Sequence, residues 1–199
     1  MKQYGKTLSF CQLFTEENLS IQIPIIQRDY AQGRKSHVEV RTNFLEALRE
    51  YLDEKKPGRE LDFVYGAVNN IEGKQYFIPL DGQQRLTTLF LLHWYLALVS
   101  GNMHTIRSIL LDDHTNSRFS YETRTSSKDF CNYLLQKDLP YENYEKNNPI
   151  ADIISNEGWF YIGWELDPTV SAMLVMLNAI EEIFHNHPEY FYNLVNNSA

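Results

Sequence analysis

The chain has 199 residues, of which 43% are hydrophobic and 22% are charged. This composition can build a sizeable core, and it excludes an intrinsically disordered or collagen-like chain. The net charge of −8 comes entirely from residues 101–199, which carry 6 Lys and Arg against 14 Asp and Glu, whereas residues 1–100 carry 12 of each. Because a strongly acidic chain binds polyanions poorly, any nucleotide or DNA site has to be confined to a small part of the surface. We expect this site in the first two thirds of the chain.

The cysteines and the hydropathy pattern do not indicate an exported or membrane protein. Cys11 and Cys131 are too few for a disulfide framework and too far apart for a zinc motif, so we expect two reduced, buried thiols. The N-terminus lacks the apolar segment of a signal peptide. The most apolar stretch, 86–99, is too short to span a bilayer. We therefore expect a cytoplasmic protein without membrane contact.

Hydrophobic periodicity predicts alternating helices and strands in the first half of the chain. The predicted elements are a helix over 7–17, a strand over 20–26, a helix from Ser36 to the Lys56-Pro57-Gly58 stop, a hairpin of strands 61–69 and 75–80, and a long buried helix over 83–99. Pro24 is expected at an edge or an end of its strand. These elements predict a small mixed sheet with helices.

The second half of the chain is predicted to be mainly helical. The expected helices cover about 104–111, 126–137, 168–185 and 188–195. An aromatic cluster is expected to fill the core rather than to stack on a ligand; its members are Trp159, Phe160, Tyr161 and Trp164. The chain is thus predicted to be α+β, with a core domain over 1–101 and a helical extension over 102–199 that packs on the core.

The clearest motif is the junction IPLDGQQRLTT at 78–88, where a strand runs into Asp81-Gly82 and a long helix begins at once. The first N–H groups of a helix lack intrahelical partners and carry the positive end of the dipole. Gly82 lets a phosphate approach the backbone, Arg85 can donate several hydrogen bonds, and Thr87 and Thr88 add hydroxyls. The motif predicts an anion site. A simpler interpretation stays open, in which Asp81 only caps the helix and Arg85 is a surface charge.

A second motif, IPIIQRDYAQGR at 23–34, places Gln27 and Arg28 after another strand, followed by a loop with Tyr30 and Arg34. Two strand ends thus each present a Gln-Arg pair. An amide beside a guanidinium suits a phosphate together with a nucleobase or ribose edge. Alone, the segment also fits a solvated loop.

Together, IPIIQRDY and LDGQQRLTTLFLL resemble the N-terminal domain of GmrSD-type modification-dependent restriction endonucleases, a large bacterial group similar in fold to ParB and sulfiredoxin. The segment RFSYETRTSS at 118–127 resembles the same family. The resemblance covers most of residues 8–185 and is closest in 21–36 and 76–95. One departure is the stretch Gln32-Gly33-Arg34, where the family often has a Trp.

The resemblance implies a ParB/sulfiredoxin-like core over 1–101 that binds and hydrolyses a nucleoside triphosphate (NTP) with Mg²⁺. Asp81, Gln84 and Arg85 are the candidate catalytic residues. In this mechanistic hypothesis, Arg85 and Arg28 would stabilise charge on the phosphate oxygens, and Asp81 would either cap the helix or hold Mg²⁺ through water. Gln83 or Gln84 would orient the attacking water. Nucleotide binding would fall to both motifs, through Gln27, Arg28, Gly82, Gln83, Arg85, Thr87 and Thr88. Family members commonly add a C-terminal nuclease domain and cut modified phage DNA, so we expect the chain to be the N-terminal part of a longer protein that meets DNA through that domain or a partner.

Three functions are compatible with the sequence. The leading one is the NTP-dependent regulatory domain of a restriction endonuclease. The second is a DNA-binding module without NTP turnover, in which phosphates contact an arginine face, with Arg34, Arg118 and Arg124 as its candidates beside Arg28, Arg41 and Arg85. The third is a structural domain that docks a nuclease subunit through the acidic C-terminal helices.

Overall fold

The computed structural model describes residues 5–27, 29–54, 63–113, 115–122, 124–141 and 148–196. Its strands are β1 (Leu19–Ile23), β2 (Tyr65–Ile71), β3 (Lys74–Asp81) and β4 (Phe119–Tyr121). Its α-helices are α1 (Phe10–Thr15), α2 (Val38–Glu54), α3 (Gln83–Val99), α4 (Met103–Leu110), α5 (Thr125–Gln136), α6 (Ile150–Asn156), α7 (Pro168–Phe184) and α8 (Tyr190–Asn196). Short 3₁₀ helices cover Lys35–His37 and Ile162–Leu166.

The four strands form one mixed sheet in the order β2-β3-β1-β4. β2 and β3 are the antiparallel hairpin that the sequence predicts, with Val68 opposite Phe77. β1 lies between β3 and β4 and runs parallel to both, so that Ile21 pairs with Phe77 on one side and Phe119 on the other. The sheet therefore combines strands from both sides of the expected boundary at residues 101 and 102.

The helices bury one continuous core, with α3 at its centre. Its mid-section is buried around the whole helix, as expected for an apolar run without a polar face. α3 packs against α4, α7 and α8, and α2 packs against α7. Cys11 and Cys131 are buried and free, which confirms the expectation for both thiols. Among the described residues, no helix combines the length and the hydropathy that crossing a bilayer requires.

The α+β prediction is confirmed, and the long helix begins and ends where its pattern predicted. The first predicted helix and strand are shorter, because Ser9 caps α1 and because β1 ends at Ile23, before Pro24. The predicted Lys56-Pro57-Gly58 stop lies outside the described residues. β4, α6 and the 3₁₀ helix at Ile162–Leu166 were not predicted, since each is too short to show a clear period.

Candidate functional site

A cavity of about 690 Å³ opens where β1 and β3 end. These strands are parallel, so their carboxyl ends lie at the same edge of the sheet, which is where open sheets with crossover helices bind ligands. The lining residues come from both sequence motifs and from the start of α2: Gln27, Ala31, Gln32, His37, Val40, Asp81, Gly82, Gln83, Gln84 and Arg85. The two motifs, far apart in sequence, therefore share one cavity.

The N-terminus of α3 forms one wall of this cavity. Its N-cap is Gly82, not Asp81, and Gly82 has a left-handed backbone with φ +91°. A Cβ at this position would lie 2.7 Å from Cγ2 of Val64. No side chain among the described residues caps the helix, so its first N–H groups are left for water or a ligand. The simpler interpretation of Asp81 as the N-cap is therefore wrong.

Gln83 and Arg85 bring side-chain donors to the same wall. Gln83 is only 9% exposed, it lines the cavity, and no described protein group hydrogen bonds to its amide. Arg85 donates from Nη2 to the carbonyl oxygen of Phe63 at 2.6 Å, and this nitrogen lies 3.7 Å from an Asp81 carboxylate oxygen. The contacts hold the guanidinium at the cavity, where it supplies a positive charge.

Gln27 lies on the facing wall. Its Nε2 donates to the carbonyl oxygen of Leu80 at 2.8 Å, which ties the second motif (23–34) to the end of β3. The convergence predicted for the two motifs is thus present at Gln27. Arg28, the second residue of that pair, lies outside the described residues.

Gln84 connects the two motifs directly. Its Oε1 accepts hydrogen bonds from the backbone N–H groups of Ala31 at 2.8 Å and Gln32 at 3.0 Å. Its Nε2 donates to the carbonyl oxygen of Asp29 at 3.0 Å. Both lone pairs of Oε1 are occupied in this way, so the oxygen is not available to orient an attacking water. The catalytic role expected for Gln84 is replaced by a positioning role.

Thr87 and Thr88 are fully buried and do not line the cavity. The hydroxyl of Thr87 donates to the carbonyl oxygen of Gln83 and lies 2.8 Å from the Tyr121 hydroxyl. The hydroxyl of Thr88 lies 2.7 Å from that of Tyr30 and 2.9 Å from Oε1 of Gln32. The expected contacts of these hydroxyls with a nucleotide have to be corrected, because burial prevents them.

Arg34 and Arg124 both pair with Asp29. Arg34 Nη2 lies 3.2 Å from one Asp29 oxygen, Arg124 hydrogen bonds to the other, and Arg124 Nη1 lies 3.6 Å from Asp167. Burial alone would raise the pKa of Asp167, but hydrogen bonds from the Ser126 hydroxyl and the Thr169 N–H outweigh burial and lower this pKa. The two guanidiniums expected to contact phosphate are therefore balanced by carboxylates.

A protein-family model described as "GmrSD restriction endonuclease, N-terminal domain" matches residues 10–192. The chain belongs to this family. No curated protein and no solved structure matches the chain. Both motifs and the cavity lie inside the matched range, so the site belongs to the GmrSD N-terminal domain itself and this is a restriction-endonuclease-associated domain.

In this GmrSD N-terminal domain, Arg118 lies at the opposite end of the sheet from the cavity, just before β4. It donates to the carbonyl oxygens of Ile109 and Leu19 and to the Asn18 side chain. Arg41 is also committed to the fold, since it is buried and donates to the carbonyl oxygens of Gly33 and Arg34. The predicted arginine face is thus spread over different parts of the GmrSD N-terminal domain.

Two lining residues were not predicted from the sequence: His37, just before α2, and Val40, in its first turn. Nδ1 of His37 lies 3.0 Å from the Ser36 hydroxyl, which leaves Nε2 as the ring nitrogen for a ligand. The sequence signalled these two residues only through the short distance between the second motif (23–34) and the predicted helix start at Ser36.

Proposed function

We propose that this domain binds a nucleoside triphosphate in the cavity and hydrolyses it, as the regulatory domain of a modification-dependent restriction endonuclease in phage defence. Family membership supports the restriction context. Nucleotide binding is supported by the chemistry of the cavity. We also propose that the core is ParB-like and that the domain meets DNA through a nuclease domain or partner.

One observation carries the proposal for binding. A long helix begins at the cavity without a side-chain cap, and the amide of Gln83 lines the same space without a hydrogen bond to another described residue. The first N–H groups of α3 and this amide are therefore groups with which a polar ligand can form hydrogen bonds. Arg85 adds the positive charge that a phosphate requires.

Different residues of the cavity would have different roles in phosphoryl transfer. The α3 N-terminus and Arg85 would stabilise negative charge on the phosphate oxygens, which is the main protein contribution to this reaction. Gln83 would orient the attacking water, because its amide is not used by the fold. Gln27 would contact the nucleotide from the facing wall.

A magnesium ion fits this cavity only together with the nucleotide. Among the described residues there is no cluster of three or more His, Cys, Asp or Glu side chains that could hold a metal ion. Magnesium is commonly bound by one or two carboxylates plus phosphate oxygens and water. Asp81, which is exposed at the cavity edge, would hold the magnesium ion. The ion would neutralise part of the negative charge of the triphosphate.

Binding is tested by titration calorimetry with each non-hydrolysable triphosphate and Mg²⁺. Because charge-assisted hydrogen bonds contribute roughly 1.5–3 kcal/mol, Arg85→Ala should weaken binding about 10- to 150-fold. Gln83→Ala should weaken binding less, since its amide is neutral. The matched controls Arg49→Ala on α2 and Gln75→Ala on β3 lie outside the cavity and should bind like the wild type. Unchanged affinity in a folded Arg85→Ala variant would disprove the site.

Hydrolysis requires its own measurement. Purified protein with Mg²⁺ and each natural triphosphate should release inorganic phosphate, and Asp81→Ala and Gln83→Ala should slow this release. Tight binding without phosphate release would leave a nucleotide sensor instead of an NTPase.

A further inference from the structure

The strand β2 forms one edge of the sheet, and no strand among the described residues pairs with its outer side. It has seven residues, all of them exposed, and it contains neither a charged residue nor a proline. The other edge strand, β4, has only three residues and packs against α5. Proteins usually protect a sheet edge with a short strand, a charge or a proline, so the edge of β2 is open to pairing with another strand.

The hairpin turn determines which backbone groups of β2 point to this edge. Glu72 and Gly73 have φ values of +52° and +83°, which is typical of a two-residue type I′ turn whose flanking residues hydrogen bond to each other. Hydrogen-bonded and non-hydrogen-bonded pairs alternate along an antiparallel ladder from this point. The residues whose N–H and C=O groups bond to β3 are Ala67, Asn69 and Ile71. Those whose N–H and C=O groups point outwards are Gly66, Val68 and Asn70.

The sequence of β2 is complementary to itself in one antiparallel register. When a two-fold axis passes beside Val68, this residue lies opposite Val68 of a second copy, and Tyr65 lies opposite Ile71 at both ends of the pair. Each of the three side chains is about half exposed, and each then has an apolar cross-strand partner. The same axis brings the outward backbone groups of Gly66 and Asn70 together. The side chains and the backbone therefore favour the same register.

The distribution of charge allows a second copy to approach this edge. The hairpin 65–81 has three charged side chains of mixed sign: Glu72, Lys74 and Asp81. The net charge of −8 arises in residues 101–199, whose strand β4 lies at the opposite edge of the sheet. Electrostatic repulsion between two copies is therefore small at β2.

We propose that two copies of this domain form a dimer by pairing their β2 strands, which joins their sheets into one. The interface is isologous, with Val68 of both copies at the two-fold axis. About six backbone hydrogen bonds would hold the strands together, two in each of three hydrogen-bonded pairs. Strand addition at an open sheet edge is a common mode of protein recognition.

Sedimentation equilibrium of the complete 199-residue chain measures dimerisation. The wild type should dimerise as its concentration increases. Val68→Lys should weaken dimerisation at least about tenfold, because two ammonium groups would lie opposite each other at the axis. A mixture of Val68→Lys and Val68→Glu should restore the dimer, which also shows that both variants are folded.

Ile162→Lys is the control for added charge, and it should dimerise like the wild type. Ile162 is 80% exposed and lies on the 3₁₀ helix that packs on α5 and α7. Its neighbour Tyr161 is 68% exposed and departs from the expectation that the aromatic cluster fills the core, so a charge at this position meets solvent.

Cysteine cross-linking tests the register. The Cα atoms of the two Val68 residues would be about 5.5 Å apart, a spacing that permits a disulfide, so Val68→Cys should give a linked dimer on mild oxidation. Ile71→Cys is the control, because its two thiols would be six residues, or about 20 Å, apart along the ladder. The native Cys11 and Cys131 are buried and should not react.

Three results would overturn the proposal. The first is a wild-type chain that stays monomeric at high concentration, which would leave a strand of another protein as the partner of β2. The second is a dimer that Val68→Lys does not weaken, and the third is equal cross-linking of Val68→Cys and Ile71→Cys. None of these results depends on nucleotide binding in the cavity.

Discussion

Oε1 of Gln84 lies 2.8 Å from the backbone nitrogen of Ala31, so the first turn of α3 holds the loop of the second motif (23–34) by its main chain. Four residues later on the same helix face, Thr88 contacts the side chains of Tyr30 and Gln32 in that loop. The cavity wall is thus set by hydrogen bonds between the two motifs, and its shape depends on this pairing.

We expect Gln84→Ala to reduce the free energy of unfolding by roughly 3 kcal/mol, because it removes three hydrogen bonds worth about 1 kcal/mol each. Gln84→Glu keeps an acceptor for Ala31 and Gln32 and loses the donor to Asp29, so its loss should be smaller. Urea unfolding of the three proteins measures the difference. A Gln84→Ala variant that unfolds like the wild type but no longer hydrolyses NTP would restore the catalytic role first expected for Gln84.

The pairing of Asp29 with Arg34 and Arg124 predicts how the domain responds to DNA. Asp29→Asn weakens both ion pairs, so we expect tighter DNA binding at low salt. We also expect the slope of log affinity against log salt concentration to become steeper, by an amount equivalent to up to about two additional phosphate contacts. Fluorescence anisotropy with a DNA duplex at several salt concentrations measures this.

Asp138→Asn is the matched control, since it removes the same charge from an exposed partner of Arg107. If both variants bound DNA alike, the effect would come from net charge alone. If wild-type DNA binding were already strong and salt-dependent, the DNA-binding module would be favoured over the regulatory domain.

Much of the fold was predictable because its largest elements carry strong patterns. The bounds of α3 followed from an unbroken apolar run between Asp81-Gly82 and Ser100-Gly101, and the hairpin followed from the turn-rich connection between β2 and β3. β4 was missed because Phe119–Tyr121 has three residues and is defined by its pairing with β1. A long-range contact of this kind leaves no local period.

The sequence predicted which two motifs would meet at the candidate site, but it did not predict what each side chain in them would contact. The spacing of Asp81, Gly82 and Arg85 predicts an anion site at a helix start, and the structure places these residues at the cavity. The spacing could not distinguish Gln83, whose amide has no hydrogen-bond partner among the described residues, from Gln84, whose amide binds the loop backbone, although both line the cavity. That distinction depends on which face of the first turn meets the loop, and the loop is brought there by tertiary packing.

Gly82→Ala should reduce both stability and nucleotide affinity. The left-handed backbone costs about 1–2 kcal/mol for a residue with a Cβ, and the new methyl group would contact Val64. Gly73→Ala is the control, because Gly73 has a similar φ of +83° and open space around the missing Cβ. Gly73→Ala should therefore lose stability through the backbone alone and bind the triphosphate normally. Equal losses of stability and of affinity in the two variants would exclude a specific role of Gly82 at the cavity.

His93 predicts a dependence of stability on pH. It is buried in α3 with Nδ1 2.7 Å from the carbonyl oxygen of Leu89, and burial lowers its pKa from 6.5 to about 4. Between these values the unfolded chain binds a proton that the folded protein does not bind. The free energy of unfolding should therefore be largest above pH 6.5 and fall as the pH decreases to about 4, by up to roughly 3 kcal/mol.

Denaturant unfolding at several pH values measures this decrease in the wild type and in His93→Gln, which cannot take up the proton. The variant should be less stable at neutral pH, because the new side chain packs less well, but its stability should change less between pH 6.5 and 4. His104→Gln on the exposed side of α4 removes a histidine without changing the core and should keep the wild-type decrease. If His93→Gln kept the full decrease, the protons would be taken up elsewhere, and the buried neutral imidazole would not be its cause.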